Sequence, residues 1–226
     1  MVRPKLRKRP TTRTAAVSAA AGRKLRWQRR AEARPKEILD AALAEFAQKG
    51  FAAARMESIA KRAHVSKGTL YLYFDSKEAI FRALVQEVLG SELDRLAERV
   101  TAYSGPTAPL LSEMLRTIHR YLSESDRAVL PKIVIAEAGN FPDLAKAYRE
   151  TVIDRGMGML TALYAKAQAQ GEFRKMPVEH AAHLTIAPVL LAVIWRTTFA
   201  SLDPQPYDYD GLIEAHIATL TKGLAL

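Results

Sequence analysis

The sequence predicts an all-α protein of about nine helices, with a three-helix N-terminal unit and a larger helical C-terminal one. Three observations carry this. From Pro35 onward apolar residues recur every three or four positions. Gly, Pro, Ser and Asp then divide the chain into segments of helical length. The alternation expected of strands is absent. At 226 residues the chain is long for one small domain and short for two large ones. The expected division is a basic arm over 1–34, a small unit over 35–82 and the larger unit over 83–226.

The elements follow in order. Ile38, Leu39, Ala42, Leu43 and Phe46 form the first stripe, with Pro35 suited to a first turn and Gly50 to a left-handed stop. A short second stripe, Met56, Ile59, Ala60 and Ala63, ends at His64-Val65. Ser66 can then offer its hydroxyl to the free amides of a third helix over about 67–74, with Val65 and Leu70 at the two positions of a hydrophobic staple. Asp75-Ser76 caps a long fourth helix, in which Glu78 favours the first turn and Ile80, Phe81, Leu84, Leu89, Leu93 and Leu96 stay in register. Gly105-Pro106 breaks it. Further helices are expected at about 110–122, 128–138, 142–170, 178–200 and 209–224.

The net charge of +10 is unevenly spread. Residues 1–34 hold twelve Lys or Arg against Glu32 alone, and the rest of the chain is close to neutral. Such a block cannot pack a core and is expected to be disordered on its own, with a polyanion as its natural partner. A solubilising tail and a DNA-tracking arm fit equally well; a transit peptide fits worse, since the stretch has one serine and no amphipathic stripe. The chain has no cysteine, which excludes disulfides, thiolate metal sites and a thiol nucleophile, and agrees with a cytoplasmic location. The apolar stretch over 186–194 contains Pro188 and is shorter than the roughly 20 residues of a membrane span. No membrane partner is expected.

The third helix carries the chemistry. At 100° per residue Leu70 and Phe74 share its inward stripe, Lys67, Tyr71, Thr69 and Tyr73 flank it, and Gly68 and Leu72 face out. A short helix held by two apolar residues thus presents a cation, phenols and a hydroxyl on a surface narrow enough for the DNA major groove. Gly68 costs helix stability, about 1 kcal/mol against Ala. Close approach of the backbone to a duplex is its apparent use.

The run from Ile59 to Phe81, with Val65-Ser-Lys-Gly-Thr-Leu-Tyr71, an aromatic pair at Tyr73-Phe74 and then Ser76-Lys-Glu78, resembles the signature of the TetR (tetracycline-repressor, AcrR-like) family of transcriptional regulators. With the first helix and Gly50-Phe51, the likeness covers about 35–82. It implies that Ser66, Thr69, Tyr73 and Lys77 hold phosphates, that Lys67, Gly68 and Tyr71 approach base edges, and that the fourth helix transmits ligand state to the reading head. Two departures stand out. Ala54-Arg55 replaces the usual hydroxyl before the second helix, so Arg55 is expected to hold a phosphate by charge instead. His64 stands where glycine is frequent, at a place that calls for the left-handed region, which His enters at a cost Gly does not bear.

The C-terminal part is less specific. Ile133 to Tyr148 is similar to the AefR-like type of TetR C-terminal domain. Met114, Ile118, Tyr121, Met157 and Tyr164 are candidates to line an effector cavity, although such stripes are more often plain core. Leu184, Val189, Val193 and Trp195, with Ile213 and Ile217 of the last helix, are candidates for a homodimer interface, which the resemblance implies. His180 and His183 are three apart, yet without a supporting carboxylate pattern they read as surface or interface residues, as does His119; no metal and no cofactor are expected. No nucleophile elbow, phosphate loop or paired-carboxylate spacing supports an enzyme. The expectation is a dimeric, ligand-responsive regulator, most simply a repressor, whose partners are a pseudo-palindromic DNA operator and a small-molecule effector. The competing expectation is a non-specific nucleoid protein driven by the arm.

Overall fold

The computed structural model describes residues 34–123 and 126–225. Except for Arg34, which pairs with Glu37 at 3.6 Å, the basic arm lies outside the described residues. Within them every regular element is helical, as expected. Helix α1 covers 34–53, α2 Met56–Arg62 and α3 Lys67–Tyr71. Helix α4 runs from Lys77–Leu84 through a π-helical turn, Val85–Gly90, into Ser91–Ala102. Helix α5 is Thr107–Ser123 and α6 is Val129–Glu137. Helix α7 combines Pro142–Tyr148, a second π-helical turn at Arg149–Ile153, and Asp154–Ala169. Helices α8, Val178–Thr198, and α9, Tyr209–Leu224, complete the fold.

Local chemistry sets the boundaries near the N-terminus. Gly50 takes φ +75° and His64 φ +53°, the left-handed conformations the sequence called for, but Gly50 does not stop α1, which continues to 53. At His64 the Val65 amide donates to the Ala60 carbonyl and the His64 amide to that of Lys61, which satisfies the last carbonyls of α2. Helix α2 begins at Arg55 without a side-chain cap, as the missing hydroxyl implied. Helix α3 is shorter than the expected 67–74. After Tyr71 the backbone tightens, with the Tyr73 amide donating to the Leu70 carbonyl, and Ser76 then opens α4 by accepting from the Ala79 amide at 3.2 Å.

Three cores form. The first joins Phe46, Phe51, Ile59, Leu70, Ile80 and Phe81 to Leu130, Ile133 and Leu144. The head therefore does not close its core alone: α6 and α7 supply part of it, and the expected boundary at 82–83 falls inside α4. The second core, around Leu96, Leu110, Met114, Leu160, Tyr164 and Phe173, lies among α4, α5 and α7. The third packs Leu115 of α5 against Val189 of α8 and Ile213 and Ile217 of α9. Between the first two cores the π-helical turns of α4 and α7 pack against each other, and the Tyr121 hydroxyl donates to the Val88 carbonyl at 2.6 Å.

Helix α8 revises one expectation. At 21 residues it is long and apolar enough, by length and composition, to cross a bilayer. The uninterrupted apolar run is shorter than the helix because His180, His183 and Thr185 precede it, without making the helix polar. Pro188 lies inside it, and its inner side packs on α5, α7 and α9.

Candidate nucleic-acid interface

Helix α3 is fixed at its entry and from behind. Ser66 Oγ accepts from the Thr69 amide at 3.0 Å and shares a hydrogen bond of 2.8 Å with Thr69 Oγ1. Leu70 is fully buried, with Val65 and Phe74 packed on the same core. The opposite surface faces solvent: Lys67 and Gly68 are exposed, and Tyr71, Leu72 and Tyr73 are 41%, 83% and 37% exposed. A Cβ on Gly68 would meet only Ser66 Oγ, at 3.9 Å. Nothing among the described residues demands glycine there.

Of the other predicted residues Arg55 and Ser66 are exposed, and Thr69 and Lys77 are half-buried. Lys67 does not stand alone: its Nζ lies 2.5 Å from Glu57 Oε1 of α2 and 5.9 Å from the centre of the Tyr71 ring. The pair holds the Glu57 carboxyl below its ordinary range, chiefly through that hydrogen bond, and raises the Lys67 ammonium for the same reason. Lys77 is turned inward instead. Its ammonium donates to the carbonyls of Phe51 and Ala52, each at 3.0 Å, and sits 4.6 Å from the Phe51 ring and 5.5 Å from the Phe141 ring. In this form its charge serves the C-terminal end of α1.

Phe141 connects the head to the rest of the molecule. It precedes α7, meets Phe51 edge-on at 5.1 Å, and Phe51 in turn meets Phe46 and Phe81 at 5.3 and 5.8 Å. Sequence reasoning gave neither Phe141 nor Glu57 a role, because both act through partners far along the chain. A Phe-Pro pair at a helix start was visible, but not what the ring would touch.

The C-terminal candidates separate. Met114 and Tyr164 are buried in the second core, with Ile118 and Met157 packed on it, whereas Tyr121 packs on the first core. A cavity of about 270 Å³ opens between α4 and α5, lined by Leu96, Arg99, Tyr103, Leu110, Glu113 and Met114; of the five candidates it touches Met114 alone. The Tyr164 hydroxyl is satisfied internally by Thr185 Oγ1 at 2.6 Å. Of the interface candidates, Leu184 and Trp195 are 57% and 41% exposed, but Val189, Val193, Ile213 and Ile217 are buried within the chain. The apolar residues of α8 cover more than one face, and the buried ones are used within the chain, where the helix packs on α5, α7 and α9. What remains outside is a stripe of Leu184, Leu191, Trp195 and Phe199.

His119 also differs from the surface role expected of it. It is 8% exposed and bonds Asp210 Oδ1 across to α9 at 2.8 Å. His183 Nδ1 lies 2.6 Å from the Glu179 carbonyl of its own helix, and no group of three metal-ligating side chains occurs among the described residues.

Residues 38–84 match the family model of bacterial regulatory proteins of the TetR family, and residues 109–221 match that of the AefR-like transcriptional repressor C-terminal domain. The transcriptional repressor KstR of Mycolicibacterium smegmatis is 31% identical over 175 residues, covering 74% of this chain and 79% of that protein. The fatty acid metabolism regulator protein of Bacillus subtilis is 41% identical over 69 residues, which is 30% of this chain and only 36% of that protein. Among solved structures, FadR of Bacillus subtilis in complex with stearoyl-CoA has a similar fold, with TM-score 0.71 and 23% identity over 84% of this chain and 98% of that one. A regulator from Mesorhizobium loti gives TM-score 0.69 at 23% identity, over 87% and 99% of the two chains.

Proposed function

The chain belongs to the TetR family of bacterial regulatory proteins, and we propose that it is a homodimeric repressor that binds a pseudo-palindromic operator and is released by an apolar effector. The observation that carries the DNA reading is α3: a capped helix anchored by buried Leu70, with an exposed outer surface of Lys67, Gly68, Tyr71 and Leu72 that is tied to α2 by the Lys67–Glu57 pair. Lys67, Gly68 and Tyr71 read base edges; Arg55, Ser66, Thr69 and Tyr73 position the head on phosphates. Lys77 joins them only if DNA draws its ammonium from the carbonyls of α1. The head is the part over 35–82, and the effector and dimer functions lie in 83–226.

The stripe on α8 supports the dimer. Leu184, Leu191, Trp195 and Phe199 follow one another at helical spacing, and the exposed Ala215, Ala218 and Thr219 of α9 are small enough for a second copy to approach closely. Two heads on one two-fold axis then face two half-sites. For the effector, the second core offers an apolar interior with Met114, Met157, Met159 and Met176, side chains that repack easily. A long-chain acyl-CoA, the class carried by the Bacillus FadR, is the first effector to test. To release DNA it must bind the non-operator form better than the operator form.

Selection of bound genomic fragments tests the reading. An enriched inverted repeat is the expected result; enrichment without sequence preference would instead favour a non-specific, arm-driven DNA protein. Sedimentation tests the dimer: Leu191→Glu should yield monomers and lower operator affinity by at least about tenfold, since one head alone makes half the contacts.

A further inference from the structure

The ion pair between Lys67 and Glu57 joins the first residue of the reading helix to the first turn of α2. Both side chains are more than half exposed, at 60% and 58%, so the pair contributes little to folding. Its position matters for another reason. Lys67, Tyr71 and Glu57 form one continuous outer surface, and a carboxylate on a surface that meets DNA opposes every phosphate it approaches. It also offsets the attraction of the cation it holds. Only an amino hydrogen on a base edge, N4 of cytosine or N6 of adenine, compensates for a carboxylate in the major groove.

We propose that Glu57 is a specificity-determining residue, which holds Lys67 over the base edges and penalises duplexes that place no amino group opposite its carboxylate. The inference rests on α3 being the helix that enters the groove. Tied to Glu57, the Lys67 ammonium does not swing to the nearest phosphate, the contact that a free lysine makes on any sequence. Held side by side, the two groups present a donor next to an acceptor, which suits a base pair that offers an acceptor next to an amino group. Where that pattern is missing, the carboxylate loses water with only Lys67 to bond it, and this desolvation cost weakens the complex.

Glu57→Gln in the full chain tests this, since it keeps size and removes charge at an exposed position. Equilibrium titrations would compare a duplex carrying the site enriched by the wild-type protein with a random duplex of equal length. The expected result is random-duplex binding tighter by about threefold to tenfold, with a salt dependence steeper by about one phosphate contact. The preferred duplex should gain less, so that the ratio of preferred to random affinity falls at least about threefold. An equal gain on both duplexes, or an unchanged ratio, overturns the proposal and leaves Glu57 a plain surface charge. If the wild-type protein enriches no site at all, the reading of α3 fails too, and Glu57 has no preference to set.

Discussion

The two halves of the molecule handle hydrophobic surface in opposite ways. The head closes its core with help from α6 and α7 and leaves its reading surface polar and aromatic, apart from Leu72. The C-terminal part closes two cores of its own and still leaves Leu184, Leu191, Trp195 and Phe199 outside. The contrast teaches where each half looks for a partner. The head offers hydrogen bonds and charge, which suits the proposed groove; α8 offers apolar area, which suits the proposed second copy.

Phe51 tests whether the first core couples the two halves. Phe51 is 1% exposed, beside Phe46, Phe81 and Phe141. Phe51→Ala should cost about 3–5 kcal/mol. In a Trp27→Phe background the Trp195 fluorescence transition in urea should shift together with the far-ultraviolet signal. A head that melts while Trp195 stays unmoved would show two independent units. Phe141→Ala is the milder form of the same question. It removes the edge contact on Phe51 and one ring near Lys77, and roughly 1–2 kcal/mol of stability should go with them.

In the second core, Tyr164→Phe should cost about 1 kcal/mol in chemical denaturation, a small effect because Thr185 keeps the Ala181 carbonyl as a partner. On the reading surface, Gly68→Ala should have the opposite sign. It should raise the melting temperature by an increment equivalent to about 0.5–1 kcal/mol while weakening DNA binding. A variant that gains stability and keeps full DNA affinity would remove the case for close backbone approach at that position.

Glu45 gives a pH test. Its carboxylate is 2% exposed, bonds Lys49 at 2.6 Å and faces Arg62 at 3.3 Å; the Lys49 hydrogen bond leads in holding its carboxyl below the ordinary range. A carboxyl depressed by folding stabilises the fold above its unfolded value, and that stability is lost as pH falls through the folded one. Glu45→Gln should therefore be less stable than wild type at neutral pH, with the gap closing in acid. A gap that stays constant with pH would mean that the pair contributes nothing through its charge.

How much of this could be read in the sequence depends on the range of the interactions. Ser66, His64, Gly50 and the Val65–Leu70 pair are local devices whose partners lie within a few residues, so chain order displays them. Lys77 and Lys67 were legible as cations on the right segment, but not their destinations, since Phe51 and Glu57 reach them only after three helices have packed. Apolarity marked α8 as an interface helix, yet not which side: Val189 and Val193 look like Leu184 and Leu191 until α5 and α9 are in place. Of the effector candidates, Met114, Ile118, Met157 and Tyr164 meet in the second core and Tyr121 packs on the first, a division set by how several helices meet and not by any one stripe.

The outer surface of α3 is the proposed part that distinguishes one DNA sequence from another, and Tyr71→Ala challenges that role. Titrated against the enriched site and against random duplex, the variant should lose affinity for the enriched site while binding random duplex nearly as wild type does. Equal losses on both duplexes, or none on either, would contradict it.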